Sequence, residues 1–299
     1  MRLTGLAPAK VNLFLHVGPI EPDGYHPLCS LVAFADVGDR VSVEPADRLT
    51  LEVTGPFASA LSEQGGGERG DNLILKALRA LGDAAGLGEP GLRVILDKRL
   101  PIAAGLGGGS ADAGTSLKLA NQMLKLGMDE ASLEAVSRVV GADGPMCLRG
   151  RTAWAEGYGE KLSDADLMPP LHAVLVNPGL PSPTGAVYRA YDEAPRIADR
   201  PDPPSDWSIP AVIDWLGRCR NNLELPAMGL TPGIRAAMQG VAEIENVRLT
   251  RMSGSGATVF GLFDNERDAR AAAETLAHRQ AGWWVETCIL GGVAADRAD

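Results

Sequence analysis

The chain has 299 residues, 45% of them hydrophobic and 22% charged, which is enough to build full cores in two ordinary domains. No apolar run approaches the ~20 residues that span a bilayer, and the first apolar stretch, broken by Lys10 and Asn12, is not a secretion signal, so a cytoplasmic location is expected. A formal net charge of -10 disfavours nucleic acid and anionic membrane as partners, so an anionic ligand must be held by a few placed cations and by backbone N–H groups.

Lys10 to Val17 alternates and reads as a strand, followed by a polar turn at Pro22-Asp23-Gly24. Val41 to Glu44 and Leu49 to Val53 read as a strand pair across a turn at Pro45 to Asp47, and Ser62 to Gly70 as a glycine-rich loop. Leu73, Ala77, Leu78 and Leu81 recur at helical spacing from Asn72, and Leu92 to Leu96 is a β-branched, apolar strand. A glycine loop, Gly105 to Gly109, precedes a helix from Ala111 to about Leu124. A helix near Ala131 to Val140 and strands near Thr152 to Ala155 and Ala173 to Val176 follow. Pro195 to Pro210 is an irregular excursion rich in Pro and Asp. Ala211 to Leu216, Gly233 to Val241 and Arg267 to Ala277 read as helices, Thr258 to Phe263 and Val285 to Leu290 as strands. The elements alternate without a βαβ rhythm, which favours α+β over a doubly wound sheet. A domain boundary near residues 157 to 170 divides the chain into 1–160 and 161–299.

Cys29, Cys147, Cys219 and Cys288 are far apart and read as buried, reduced thiols. His16, His26, His172 and His278 are equally scattered, and no HExxH or CxxC occurs, so no protein-bound metal site is expected.

The run Pro101-Ile102-Ala103-Ala104-Gly105-Leu106-Gly107-Gly108-Gly109-Ser110-Ala111-Asp112-Ala113 carries the most information. Glycines let several N–H groups converge on one point, and the following helix adds its positive end. Ser110 can cap that helix or offer its hydroxyl to a phosphate or a metal. A flexible linker is the plainer reading, opposed by the strand before the loop and the helix after it. The P-loop lysine, the GxGxxG spacing and the protein-kinase signatures are absent.

Taken with Pro8-Ala9-Lys10-Val11-Asn12-Leu13 and Met252-Ser253-Gly254-Ser255-Gly256-Ala257-Thr258-Val259-Phe260, this loop resembles the three ordered motifs of the GHMP kinases. The resemblance implies an α+β, two-domain fold: an N-terminal ATP-binding domain like ribosomal protein S5 domain 2, and a ferredoxin-like C-terminal domain. It implies ATP and Mg²⁺ as cofactors, with Pro101, Gly105, Leu106, Gly107, Gly108, Gly109 and Ser110 around the phosphates. Gly141-Ala142-Asp143-Gly144-Pro145 resembles the segment that supplies the family's base, which makes Asp143 and Lys10 the implied catalytic pair. Gly144 departs from the branched residue usual there, which would loosen the turn. The plainer reading of Asp143 is a turn residue before Gly-Pro.

Asp23-Gly24-Tyr25-His26 resembles the segment found in family members that phosphorylate a cytidine diphosphate-linked polyol. There the Tyr25 position stacks on the cytosine and the His26 position hydrogen-bonds it. Asn12 and Thr184 are the other implied substrate contacts, and Tyr188 the opposite aromatic wall. A homoserine- or mevalonate-type kinase and a catalytically silent nucleotide-binding homologue are the alternatives. The sequence sets no oligomeric state.

Overall fold

The computed structural model describes residues 1–63 and 72–291; most of the expected Ser62 to Gly70 loop lies outside the described residues. The first sheet grows around one long strand, β2 (Leu28–Pro45), which carries β1 (Leu3–Val17) along one edge. Its other edge is divided. β5 (Ala153–Gly157) takes Leu28 to Val32, and β4 (Leu92–Asp97) takes Arg40 to Pro45. β3 (Thr50–Thr54) adds in parallel beyond β4, and β6 (Lys161–Asp164) adds antiparallel beyond β5. The second sheet runs β10 (Trp284–Leu290), β7 (Leu171–Asn177), β9 (Val259–Phe263), β8 (Leu249–Met252), all antiparallel. Leu290 pairs with Ala35 of β2 and joins the two sheets.

β3 does not pair with the strand before it, as the sequence suggested. β4 inserts between them, presenting buried Leu92, Val94 and Leu96, while the Ala46 N–H donates to the Gly91 carbonyl at 3.0 Å and holds the connection open.

Helices α1 (Ala58–Glu63), α2 (Leu73–Ala84), α3 (Gly108–Leu124), α4 (Glu130–Ser137) and α5 (Gly144–Arg149) belong to the first half. Ile74 and Leu78 of α2, Leu117 of α3 and Leu148 of α5 form one core with Val41, Val43 and Val94 of the sheet. Helices α6 (Thr184–Tyr191), α7 (Ile209–Arg218), α8 (Glu224–Leu230), α9 (Pro232–Ala242) and α10 (Glu266–Arg279) follow in the second half. Val187, Ala227, Ile234 and Leu276 from these helices pack with Val174, Val176 and Val259. A third cluster binds the halves together, with Phe14, Leu31 and Trp154 against Leu175, Phe260 and Trp215.

The excursion from residue 195 has no regular structure as far as Ser208, but Ile209 and Pro210 already belong to α7. Proline is suited to the first turn of a helix, because the N–H it lacks has no intrahelical partner there. No helix among the described residues is long and apolar enough to cross a membrane.

Candidate active site

The register of β1 against β2 shifts between Pro8 and Lys10 and again between Asn12 and Phe14. Such bulges re-aim side chains out of the regular alternation. The Lys10 N–H consequently leaves the ladder and donates to the Leu106 carbonyl at 2.8 Å. Its side chain enters a cavity of about 690 Å³ bordered by the glycine loop.

That loop ends in α3, which begins at Gly108, three residues earlier than expected, with Gly107 rather than Ser110 as its cap. No side chain caps the helix, and the first N–H groups of a helix have no intrahelical acceptor. They form an open anion site with the helix dipole behind it. Gly107 has φ +62°, and a Cβ there would sit 3.1 Å from Lys10 Cβ. Gly105 has φ +73°, and its Cβ would meet the Ser253 carbonyl at 2.4 Å.

The turn from Met252 to Gly256 is stitched to this loop. Ser253 Oγ accepts from the Asn12 N–H at 3.2 Å and donates to the Gly105 carbonyl at 2.9 Å, while the Thr258 N–H donates to the Ala104 carbonyl at 3.1 Å. Arg251, just before it, is buried and donates to the Leu13, Leu216 and Cys219 carbonyls, so it fastens β1 and takes no part in the cavity.

Asp143 caps α5 by position, yet its carboxylate makes no capping bond. It accepts instead from Lys10 Nζ at 2.9 Å. Burial alone would lower the Lys10 pKa, but the Asp143 charge and hydrogen bond outweigh it and hold the ammonium above its ordinary value. Gly144 does not loosen this turn: a Cβ there would lie 2.2 Å from the Ser137 carbonyl, so glycine is what allows α5 to pack close. Asn12 donates from Nδ2 to Ser30 Oγ at 2.8 Å, while its buried Oδ1 has no partner among the described residues. An amide oxygen buried in this way marks a place for a donor.

Sequence reasoning passed over a buried triad beneath the loop. Lys98 Nζ donates to Asp39 Oδ2 at 2.5 Å and to Asp112 Oδ2 at 2.7 Å. Asp39 is satisfied as a carboxylate, because its Oδ1 also accepts from the Arg99 and Leu100 N–H groups. Asp112 Oδ1 has no partner among the described residues. Burial pushes the Asp112 carboxyl up, against the pull of Lys98. Asp112 stood in the glycine motif itself, but neither Asp39 nor Lys98 has a local pattern that announces it.

A second cavity of about 350 Å³ opens beside the first and holds Tyr25, His26 and Tyr188; Leu28, Tyr158 and Tyr188 border both. Burial pushes the Tyr188 phenol up to about 12. The His26 ring lies 4.9 Å from Tyr188, centroid to centroid. Its Nδ1 faces the Gly18 carbonyl at 3.0 Å, which can only accept, and its Nε2 faces Asp192 Oδ1 at 3.4 Å. Both ring nitrogens are therefore directed at protein oxygens. Thr184 Oγ1 lies 2.8 Å from Ser255 Oγ on the wall of the larger cavity. Pro101, Gly105 through Ser110, Lys10, Asn12, Asp143 and Tyr188 border the same cavity, whereas Tyr25 and His26 border only the second one beside it.

Comparison with known proteins identifies the family. The GHMP kinases N terminal domain matches residues 72–151, and the GHMP kinases C terminal domain matches 208–281. A 4-diphosphocytidyl-2-C-methyl-D-erythritol kinase of Caulobacter sp. is 50% identical over 296 residues, covering 98% of this chain and 99% of its own. The chain belongs to this branch of the GHMP kinase family. A crystal structure of a 4-(cytidine 5'-diphospho)-2C-methyl-D-erythritol kinase superposes with a TM-score of 0.78 at 37% identity, covering 97% of this chain and all of that one. Homoserine kinase from Cytophaga hutchinsonii shares the fold alone, with a TM-score of 0.68 at 16% identity, covering 96% of this chain and 94% of that one. The two-domain GHMP kinase fold is thus the architecture of this family member.

Proposed function

We propose that this chain transfers the γ-phosphoryl group of ATP to the 2-hydroxyl of 4-diphosphocytidyl-2-C-methyl-D-erythritol, a step of the non-mevalonate isoprenoid pathway. One observation carries the reading: the Lys10–Asp143 pair stands beside an uncapped helix start, in a cleft that continues into an aromatic pocket. Phosphoryl transfer needs mainly positioning and charge stabilisation. Gly107 to Ser110 hold the ATP phosphates with backbone N–H groups. Asp143 takes the proton from the acceptor hydroxyl, and Lys10 keeps that carboxylate ionised and orients the alcohol. Asn12 Oδ1 accepts from the polyol.

Tyr25 and Tyr188 flank the cytosine, and His26, whose Nδ1 is held by the Gly18 carbonyl, reads the base edge with its imidazole and nearby backbone. Arg189 borders the aromatic pocket with no ion pair among the described residues. It is the placed cation for the substrate's diphosphate in a chain of net charge -10. Mg²⁺ fits the loop on its donor chemistry, because the Ser110 hydroxyl, which caps nothing, borders the cavity and this cation takes oxygen ligands together with substrate phosphates. When bound it offsets charge on the phosphate oxygens.

The test is ADP release with a panel of acceptors: the cytidine substrate, its cytidine-free polyol, homoserine and mevalonate. Turnover is expected with the first alone. Equal turnover with homoserine or mevalonate would overturn the assignment.

A further inference from the structure

Tyr25 is 64% exposed, so the wall that stacks on the base has little protein around it. Its turn is internally tight. The Glu21 N–H donates to the Tyr25 carbonyl at 2.8 Å, the Gly24 N–H to the Glu21 carbonyl at 2.9 Å, and the Tyr25 N–H to Asp23 Oδ1 at 3.0 Å. Gly24 supplies the φ of +85° this turn needs. The neck is closed by the Gly18 N–H on the Pro27 carbonyl at 2.7 Å. These bonds shape the turn without fixing it to the rest of the molecule.

Tyr158 supplies that attachment. Its hydroxyl lies 2.6 Å from Glu21 Oε2 and 2.7 Å from Asp23 Oδ2, and its ring centroid is 5.6 Å from that of Tyr25. Tyr158 itself sits between Gly157 and Gly159, both at positive φ, in the β5–β6 turn, and its N–H donates to Glu160 Oε2 at 2.6 Å. A phenol carries one proton, and here that proton stands between two carboxylates. Without it, two like charges would face each other across an apolar ring edge and drive the turn outward.

We propose that Tyr158 is a positioning residue for base recognition: its hydroxyl latches the Glu21–Tyr25 turn in place and so fixes Tyr25 over the base pocket. The proposal rests on the reading of that pocket as the cytidine site. The experiment is steady-state kinetics on Tyr158→Phe, Tyr25→Ala and the double variant. Tyr158→Phe is expected to raise KM for the cytidine substrate about threefold to tenfold, the loss of one hydrogen bond, with kcat and the KM for ATP unchanged. Tyr25→Ala raises the same KM about tenfold or more, through the lost stack. Added to Tyr25→Ala, Tyr158→Phe has no further effect, because there is no wall left to position. Glu21→Gln added to Tyr158→Phe recovers part of the loss, because the amide removes one charge and donates to Asp23. A KM raised by Tyr25→Ala but not by Tyr158→Phe overturns the latch and leaves the pocket standing. A KM raised by neither overturns the pocket reading and the latch with it. An equal loss from Tyr158→Phe with or without Tyr25, or a parallel loss of ATP affinity, also overturns the positioning role.

Discussion

Asp143→Asn isolates the chemical step from the architecture around it. Asparagine keeps the size of the side chain and an oxygen for Lys10 Nζ, now 2.9 Å from the carboxylate, so the geometry survives. The Lys10 side chain is 9% exposed but that of Asp143 is 40% exposed, so solvent screens the pair and the stability cost is about 0.2–1 kcal/mol. Loss of a general base lowers a rate by about 10²–10⁴, equivalent to about 3–5 kcal/mol in the barrier. The kinetic effect therefore exceeds the structural one several-fold. In the parent, Lys10 is held above its ordinary pKa by Asp143 and stays an ammonium near neutrality, whereas in the variant burial acts on it without that opposing charge, so kcat is compared across a range of pH. Coupled ADP release at saturating substrates should show the loss in kcat, while calorimetry shows both ligands still bound. A variant that binds both ligands and retains kcat within about tenfold of the parent would refute Asp143 as the base.

Gly107→Ala places a side chain at φ +62° against Lys10, and the left-handed conformation alone costs about 1–2 kcal/mol; KM for ATP should rise about fivefold to thirtyfold while calorimetric affinity for the cytidine substrate holds. Asp112→Asn tests the proton beneath the loop. A buried carboxyl with a raised pKa makes the folded state bind a proton that the unfolded chain has released, so the parent should lose stability as the pH rises from the ordinary carboxylate range to about 8. Thermal melts of Asp112→Asn should be flatter across that interval, and matching slopes would show Asp112 ionised. Arg189→Ala should weaken the cytidine substrate about threefold to fivefold at low salt and less at high salt, with ATP affinity unchanged in the same titrations.

The sequence is most legible where local chemistry decides the structure. α2 follows from its apolar spacing and the Asn72 cap, whose side chain accepts from the Ile74 N–H at 2.9 Å. The glycine loop and the Lys10 segment were visible as motifs, though not the register shift that turns Lys10 into the cleft. What escaped is what distance decides. β2 extends to 18 residues because three different strands share one of its edges, and no local alternation records that. β6, β8, α5, α6 and α8 are short, four to eight residues each, and are stabilised by packing more than by propensity. The Lys98 triad joins residues 59 and 14 positions apart, and Tyr158 meets Asp23 across 135. Asp143 was readable as a turn residue or as a base, and its bond to Lys10 in place of a cap is not visible in the local sequence.

The stitch between the glycine loop and the Met252–Gly256 turn has a consequence for biogenesis. Ser253 reaches back 148 positions to Gly105 and 241 positions to Asn12. A ribosome must deliver almost the whole polypeptide before the loop acquires its shape, and closing such long loops delays the event further. A nascent or proteolysed chain ending before Ser253 would lack the hydrogen bonds that tie the loop to Asn12 and to the Met252–Gly256 turn. Because a ligand that binds only the finished state stabilises that state, ATP acts as a check on completeness, protecting whole molecules from unfolding and leaving fragments exposed to proteases.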